Sequence, residues 1–307
     1  MRVEGRGVIN HAPTPKPFHY GGQAVIEGVM IRGRRHVSVA IRRPDGSIFL
    51  RSEPLPGTFY DSRWARVPFL RGALFLWENL LLGTRTLLLS ASVAMGEEET
   101  KTSSAAMWGM LVPAFVFAAA IFFAGPIAAT SWLDRYFPSG LVSNLAEGVI
   151  RLLFFVAYIW GIGLLPDIRR VFGYHGAEHQ AVNALEHGAA LEPGSVKNYN
   201  TAHTRCGTGF LLNVLLLSLV VFALLGKPPL ALRYASRLVL IPAIAAVAYE
   251  LLRLGADHFG KAWVRALLAP GLALQALTTR QPELAQVEVA LAALKEAMAA
   301  DSAQAAR

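Results

Sequence analysis

The chain has 307 residues, of which 54% are hydrophobic and only 16% charged, well below the roughly 25% charged residues of a soluble globular domain. Its formal charge is +8, and its single cysteine, Cys206, excludes an intramolecular disulfide. No basic stretch is interleaved with aromatics, so a nucleic-acid partner is not expected, and the positive charge fits attraction to anionic headgroups of membrane lipids.

In chain order, residues 1–18 carry Pro13, Pro15 and Pro17 and read as an irregular tail without the apolar core of an export signal. The stretch from Gly21 to Met30 is too glycine-rich for a strong helix and too apolar for a solvated loop. Its glycines suggest close packing of backbone against a membrane helix, and Gly21-Gly22-Gln23 lacks the Lys and the spacing of a phosphate-binding loop. Glu27, the one carboxylate there, stays open as a further ligand or base. His36 to Arg43 and Ser47 to Glu53 flank the turn Pro44-Asp45-Gly46 and predict a hairpin, which makes residues 1–63 a cytoplasmic segment with a small β element.

Residues 64–106 read as an amphipathic helical region. Pro68 to Met95 is apolar, but Arg71, Glu78 and Arg85 recur every seven residues, so this helix is expected to lie in the interface or pack against a bundle. The acidic run Glu97 to Glu99 marks a loop or the start of the first spanning helix, where negative charge suits the helix dipole. Four stretches of spanning length follow: Met107 to Thr130, Glu147 to Leu165, Thr208 to Gly226 and Tyr234 to Leu252. In lipid each must close its backbone hydrogen bonds internally, which dictates helices. Residues 107–258 are therefore predicted to be a four-span membrane bundle enclosing a His-rich loop, 166–206.

Four spans put both termini on one side. Of the 29 Lys and Arg, 24 fall in 1–106, 166–206 and 253–307, leaving Arg135, Arg151, Lys227, Arg233 and Arg237 for the other side. The positive-inside rule then places both termini and the His-rich loop in the cytoplasm. In the C-terminal region, 259–307, Leu284, Val287, Leu291 and Leu294 fall at helical spacing and predict an amphipathic helix from Pro282 to Met298. It could dock on the domain, on the membrane or on another copy, which leaves a homo-oligomer open. The fold class is mainly α: a polytopic membrane helix bundle with a small cytoplasmic β element near the N-terminus.

The chemistry concentrates in His175-Gly176-Ala177-Glu178-His179. On a helix, i and i+4 share a face, so His175 and His179 can offer two imidazoles to one cation with Glu178 alongside, the order of groups in the inverted zinc-protease signature. His203 and Cys206 precede the third span, and Glu250 and His258 flank the cytoplasmic end of the fourth, so all could meet at one membrane depth. The expected ligands of a divalent metal, zinc first, are His175, His179 and one or both of His203 and Cys206, with Glu178 or Glu250 as the catalytic carboxylate. Plainer readings stand beside these. The His pair could be a hydrogen-bonded helix face, His203 and Cys206 a cap and a buried thiol, and Glu250 half of an i, i+3 pair with Arg253. Cys206 as nucleophile is a further alternative. Asn213 reads as interhelical glue, and His11, His19, His36 and His187 as local polar groups.

Four segments together resemble the YqhQ-like family of bacterial membrane proteins: Gly21 to Gly33, Tyr174 to His179, Arg205 to Thr208 and Leu277 to Glu283. The resemblance covers most of the chain. It implies a polytopic protein of the bacterial inner (cytoplasmic) membrane with a metal site, the family being described as metal-dependent enzymes by inference. One departure is Gln180, where the family often carries Lys.

Two functions compete. The first is a metal-dependent hydrolase at the cytoplasmic face of the membrane, cleaving an amide or ester bond in a membrane-associated substrate. The second is a non-enzymatic assembly or quality-control factor that binds a partner membrane protein, its His and Cys cluster structural. A closed ligand shell favours the second and an open position beside a Glu the first.

Overall fold

The computed structural model describes residues 18–55, 67–96, 104–136, 139–226 and 228–305. The tail before residue 18, with His11, and the acidic run Glu97 to Glu99 lie outside the described residues.

The predicted hairpin forms as β3 (His36–Arg42) and β4 (Ile48–Pro54). Its turn is held by Asp45 Oδ1, which accepts from the Ser47 amide at 2.9 Å and the Ser47 hydroxyl at 2.6 Å, while Gly46 takes the left-handed φ of 85°. The glycine-rich stretch before it is not packed on a membrane helix by its glycines. It forms β1 (Gly21–Val25) and β2 (Gly28–Arg32), completing an antiparallel sheet in the order β1-β2-β3-β4. A Cβ on Gly22 would collide with the Met30 carbonyl and one on Gly28 with the Ala40 carbonyl, so these glycines allow neighbouring strands to approach.

The sheet is buried on both faces because its strands alternate between two cores. Val29, Ile31 and Ala40 face Tyr174, Ala181 and Val182 of α5 (Pro166–Glu186) and Val287, Leu291 and Leu294 of α10 (Leu284–Ala305). Met30, Val39, Ile41 and Phe49 face Val93, Leu82 and Leu89 of α1 (Leu70–Ala94). The amphipathic C-terminal helix thus docks on this chain's own sheet. Asp301 near its end accepts from the backbone amides of Arg34 at 2.6 Å and Arg35 at 3.0 Å, tying α10 to the β2–β3 turn.

Among the described residues three helices are long and apolar enough to cross a membrane: 104–133, 140–162 and 230–256. The first combines α2 (Ser104–Ala119), a π-helical turn (Ala120–Ala124) and α3 (Gly125–Leu133). The others are α4 (Gly140–Ile162) and α8 (Leu230–Asp257). The third expected span is a shorter apolar helix, α7 (Gly207–Ala223), of 17 residues, at the lower edge of the roughly 17–25 residues a span needs. A second apolar helix of 17 residues, α9 (Ala262–Thr278), was not singled out by hydropathy.

The stretch 68–95 packs as α1, with Arg71 and Glu78 of its charged row turned to partners inside the protein and Arg85 exposed. Glu78 accepts from Arg32 of β2 at 2.8 Å, and Arg71 pairs with Glu250 of α8. At one end of the bundle Arg151, Arg233 and Arg237, read from sequence as external cations, are buried at 1–3% exposure around the equally buried Glu147. Glu147 accepts from Arg151 at 2.6 Å, Arg233 at 2.9 Å and Arg237 at 3.0 Å; Asp134 takes a further Arg233 bond at 3.0 Å. Phe222 of α7 closes the cluster, with the Arg237 guanidinium 4.4 Å from its ring centre.

Candidate metal centre

The second span ends at Ile162, and Pro166 at the first position of α5 starts a new helix rather than closing the old one. Starting at Pro166, α5 runs without a break through Gly173, where packing room rather than a turn is what glycine supplies: a Cβ there would strike the Gln286 side chain. At Gly176, between the two ligand candidates, a Cβ would strike the Arg280 carbonyl, so the α9–α10 linker crosses α5 at this residue.

The polar face of α5 fixes the segment that delivers Cys206, which includes the single helical turn α6 (Pro193–Val196). Gln180 Nε2 donates to the carbonyls of Lys197 at 3.1 Å and Tyr199 at 2.9 Å, and Asn183 donates to those of Asn200 at 2.7 Å and Ala202 at 3.0 Å. Gln180 is therefore a loop clamp; its Oε1 is buried with no hydrogen-bond partner among the described residues. Cys206 then caps α7, its Sγ accepting from the Thr208 amide at 3.4 Å.

The structure brings together His175, His179 and Cys206, with one ligand atom from each lying within 4.8 Å of the other two. Sγ of Cys206 is 3.3 Å from His175 Nε2, and the two imidazole centres are 4.4 Å apart. A nitrogen and a sulfur on one tetrahedral zinc would be about 3.5 Å apart, given bonds of ~2.0 and ~2.3 Å. The orientation is as informative as the distance. Nδ1 of His175 lies 2.9 Å from the Thr278 carbonyl and Nδ1 of His179 lies 2.5 Å from the Thr201 carbonyl. A carbonyl only accepts, so both Nδ1 atoms carry hydrogen and both Nε2 atoms are turned to the site, the arrangement that orients metal-binding imidazoles.

Charge is shared within the cluster. Burial pushes the Cys206 thiol up, but the imidazoles of His175 and His179 outweigh it and bring its pKa down to about 4. Burial pushes His179 down, yet the Glu178 carboxylate and the Cys206 sulfur outweigh that and raise it to about 9. Glu178, 4% exposed, places Oε2 3.4 Å from His179 Nε2, at the edge of the three-residue set.

Other expected site residues fall elsewhere. His203 stands beside the set, its ring 5.7 Å from that of His179, but its Nε2 faces Glu186 Oε2 at 3.4 Å. Its backbone is locked by Gln275 of α9, which accepts from the His203 amide at 2.8 Å and donates to its carbonyl at 3.0 Å. Burial raises the Glu186 carboxyl, but His203, Arg205 and His19 outweigh it and bring its pKa to about 2. Glu250 is not drawn to the cluster: both its oxygens are taken by the Arg71 guanidinium, and Oε1 also accepts from the Phe69 amide at 3.2 Å, at the start of α1. His258 turns Nδ1 to the Leu254 carbonyl, and Glu27 pairs with Arg170 and Tyr174. Asn213 and Gln275 line a narrow cleft below His203, walled by Leu252, Leu268 and Leu272. Sequence reasoning missed Thr201, Thr278 and Gln275, whose parts are played by backbone or by a neutral amide.

Fold and site define a class: a helical membrane protein with candidate transmembrane helices, an antiparallel sheet packed between helices, and a His/His/Cys cluster formed by two histidines of α5 and the cysteine that caps α7. The chain belongs to the family described as "Protein of unknown function (DUF1385)", which matches residues 67–300 and so includes all three clustered residues. It is similar to "Uncharacterized protein YqhQ" of Bacillus subtilis (strain 168), 33% identical over 293 residues that cover 91% of this chain and 92% of that protein. No solved structure matches the chain.

Proposed function

We propose that His175, His179 and Cys206 hold a divalent metal, zinc first, and that the protein is a metal-dependent hydrolase working where the bundle meets the cytoplasm, on an amide or ester of a membrane-associated substrate. The observation that carries this is the pair of carbonyl bonds to Nδ1 of His175 and His179, which leave both Nε2 atoms on the side of the one cysteine sulfur. Three protein ligands leave one tetrahedral position open, as catalytic zinc sites do. An ion held there supplies Lewis acidity for attack by water. Glu178 accepts the proton of that water at its carboxylate and returns it to the leaving group, a role that buried position beside His179 suits.

The test separates chemistry from binding. Glu178→Gln is expected to keep the wild-type metal content while hydrolysis of a panel of ester and peptide-amide reporters, assayed in lipid nanodiscs, falls by about 10²–10⁴-fold. Equal rates for the two proteins would remove Glu178 from the chemistry. The burial of His179 and Cys206 favours the second reading, a non-enzymatic assembly factor with a structural ion. Wild-type protein with a full complement of metal and no hydrolysis of any reporter would decide for it.

Binding should depend on pH in a stated direction. With its pKa near 9, His179 is protonated in the metal-free protein at neutral pH, so the ion must displace a proton, whereas Cys206 gives up none above about pH 4. Apparent zinc affinity should rise roughly tenfold per pH unit toward pH 9. Competition with a chromophoric chelator between about pH 6 and about pH 8 measures the slope, and a flat profile would strike His179 from the ligand set.

A further inference from the structure

The two apolar helices of 17 residues, α7 and α9, do not run alike. α7 leads from Cys206 at the metal-site end to Phe222, which meets Arg151 and Arg237 at the far end of the bundle. α9 begins just after the end of α8, whose opposite end carries Arg233 and Arg237 in that far cluster. It finishes where the Thr278 carbonyl accepts from His175. Both ends of α9 therefore lie at the metal-site end. Between them it crosses the bundle, with Leu268 against Gly255, Gly271 against Gly209, and Leu274 in one cluster with Phe155 and Leu212.

Its inner row, Val264, Leu268, Leu274, Gln275 and Thr278, is buried. From Ala266 to Ala276 every exposed residue is apolar: Ala266, Leu267, Ala269, Pro270, Ala273 and Ala276. Leu267 is 67% exposed and Trp263 65%. α9 packs beside α8 through Leu268 and Gly255, and α8, a helix long enough to cross a membrane, itself exposes Leu251 and Leu254 near that end. Exposed Lys261 and Arg265 stand at the first turns of α9, where they suit anionic headgroups.

We propose that α9 is an in-plane helix that lies half-sunk in the lipid surface on the metal-site side, with Trp263 and Leu267 among the headgroups and upper acyl chains and its inner row holding the site. An apolar outer face, a tryptophan at the boundary and flanking cations are what such a helix presents to lipid. Through Thr278 and Gln275 the same helix positions His175 and the His203 backbone, so the lipid surface sets the orientation of the site. The placement stands whether or not an ion is bound.

Two measurements on the full chain test it. Lys261→Cys and Gln281→Cys, flanking α9, are treated with a membrane-impermeant maleimide in sealed right-side-out and inverted vesicles, with wild type as the blank for buried Cys206. Both positions should react in the same preparation; reaction in opposite preparations would make α9 a span and overturn the proposal. Brominated lipids should quench the fluorescence difference between wild type and Trp263→Phe, more strongly with bromine near the headgroup than at the chain end. A difference untouched by bromine at any depth would mean that protein, whether a partner or a second copy, covers this face, and would equally overturn it.

Discussion

On the proposed reading, purified Cys206→Ala and His179→Ala should each lose zinc binding, by more than the roughly 10–100-fold in affinity that removing a supporting partner outside the ligand set costs. Each substitution takes one donor atom from a set whose three members lie within 4.8 Å of one another. A three-ligand site reduced to two keeps neither the charge of the thiolate nor the tetrahedral geometry. His203→Ala should behave differently. Its Nε2 is committed to Glu186 and its place in the fold is fixed by backbone bonds to Gln275, so the variant should keep its ion. Glu250→Gln should keep it too, because that carboxylate belongs to Arg71 and the start of α1. Metal analysis of the four proteins beside wild type checks the set, and equal content throughout would dissolve it. Since Cys206 also caps α7, thermal unfolding of the same samples separates lost ligation from lost fold.

Glu147→Ala should be among the most destabilising single substitutions in the chain, by about 3–5 kcal/mol, the cost of removing one partner from a buried ion pair. The reason is the count of charges that depend on it. Arg151, Arg233 and Arg237 all donate to this one carboxylate, and each is 3% exposed or less. Asp134→Asn should cost less, because Asp134 joins the cluster through Arg233 and is partly open. Unfolding midpoints in detergent would show the difference, and a Glu147→Ala midpoint equal to wild type would mean that the arginines have another anion. Replacing the charged set together with apolar residues of similar volume should be far milder than removing the carboxylate alone.

Much of this fold could be read from residues because its drivers are local. Apolar runs announced the long helices, Pro44-Asp45-Gly46 announced the β3–β4 turn, and the period of Leu284, Val287, Leu291 and Leu294 announced α10. The pairing of His175 with His179 follows from one helical turn, and the addition of Cys206 from its place at the head of an apolar helix. What could not be read depends on contacts between distant segments. Gly22 and Gly28 weaken a strand signal, yet they face the carbonyls of Met30 and Ala40, and only the pairing of β1, β2 and β3 makes glycine the fitting residue. The choice of Cys206 over His203 turns on Glu186, a carboxylate on the far turn of α5. Glu250 looked like a costly charge in an apolar helix, which is a sound reason to suspect function, but its partner Arg71 lies on α1, a stretch expected only to lie in the interface or pack against the bundle, with no partner named.

The carbonyl of Thr278 has a consequence for how the protein matures. Chains grow from their N-terminus, so both imidazoles and the thiol have left the ribosome before the helix that ends at Thr278 has been made. On the proposed reading, the acceptor that steadies His175 is the last component supplied, and it arrives only after α8 has been threaded in the correct direction. A prematurely terminated product would carry the same two histidines and cysteine but lack the carbonyl that fixes one ring, so the geometry of the cluster is completed only late in synthesis.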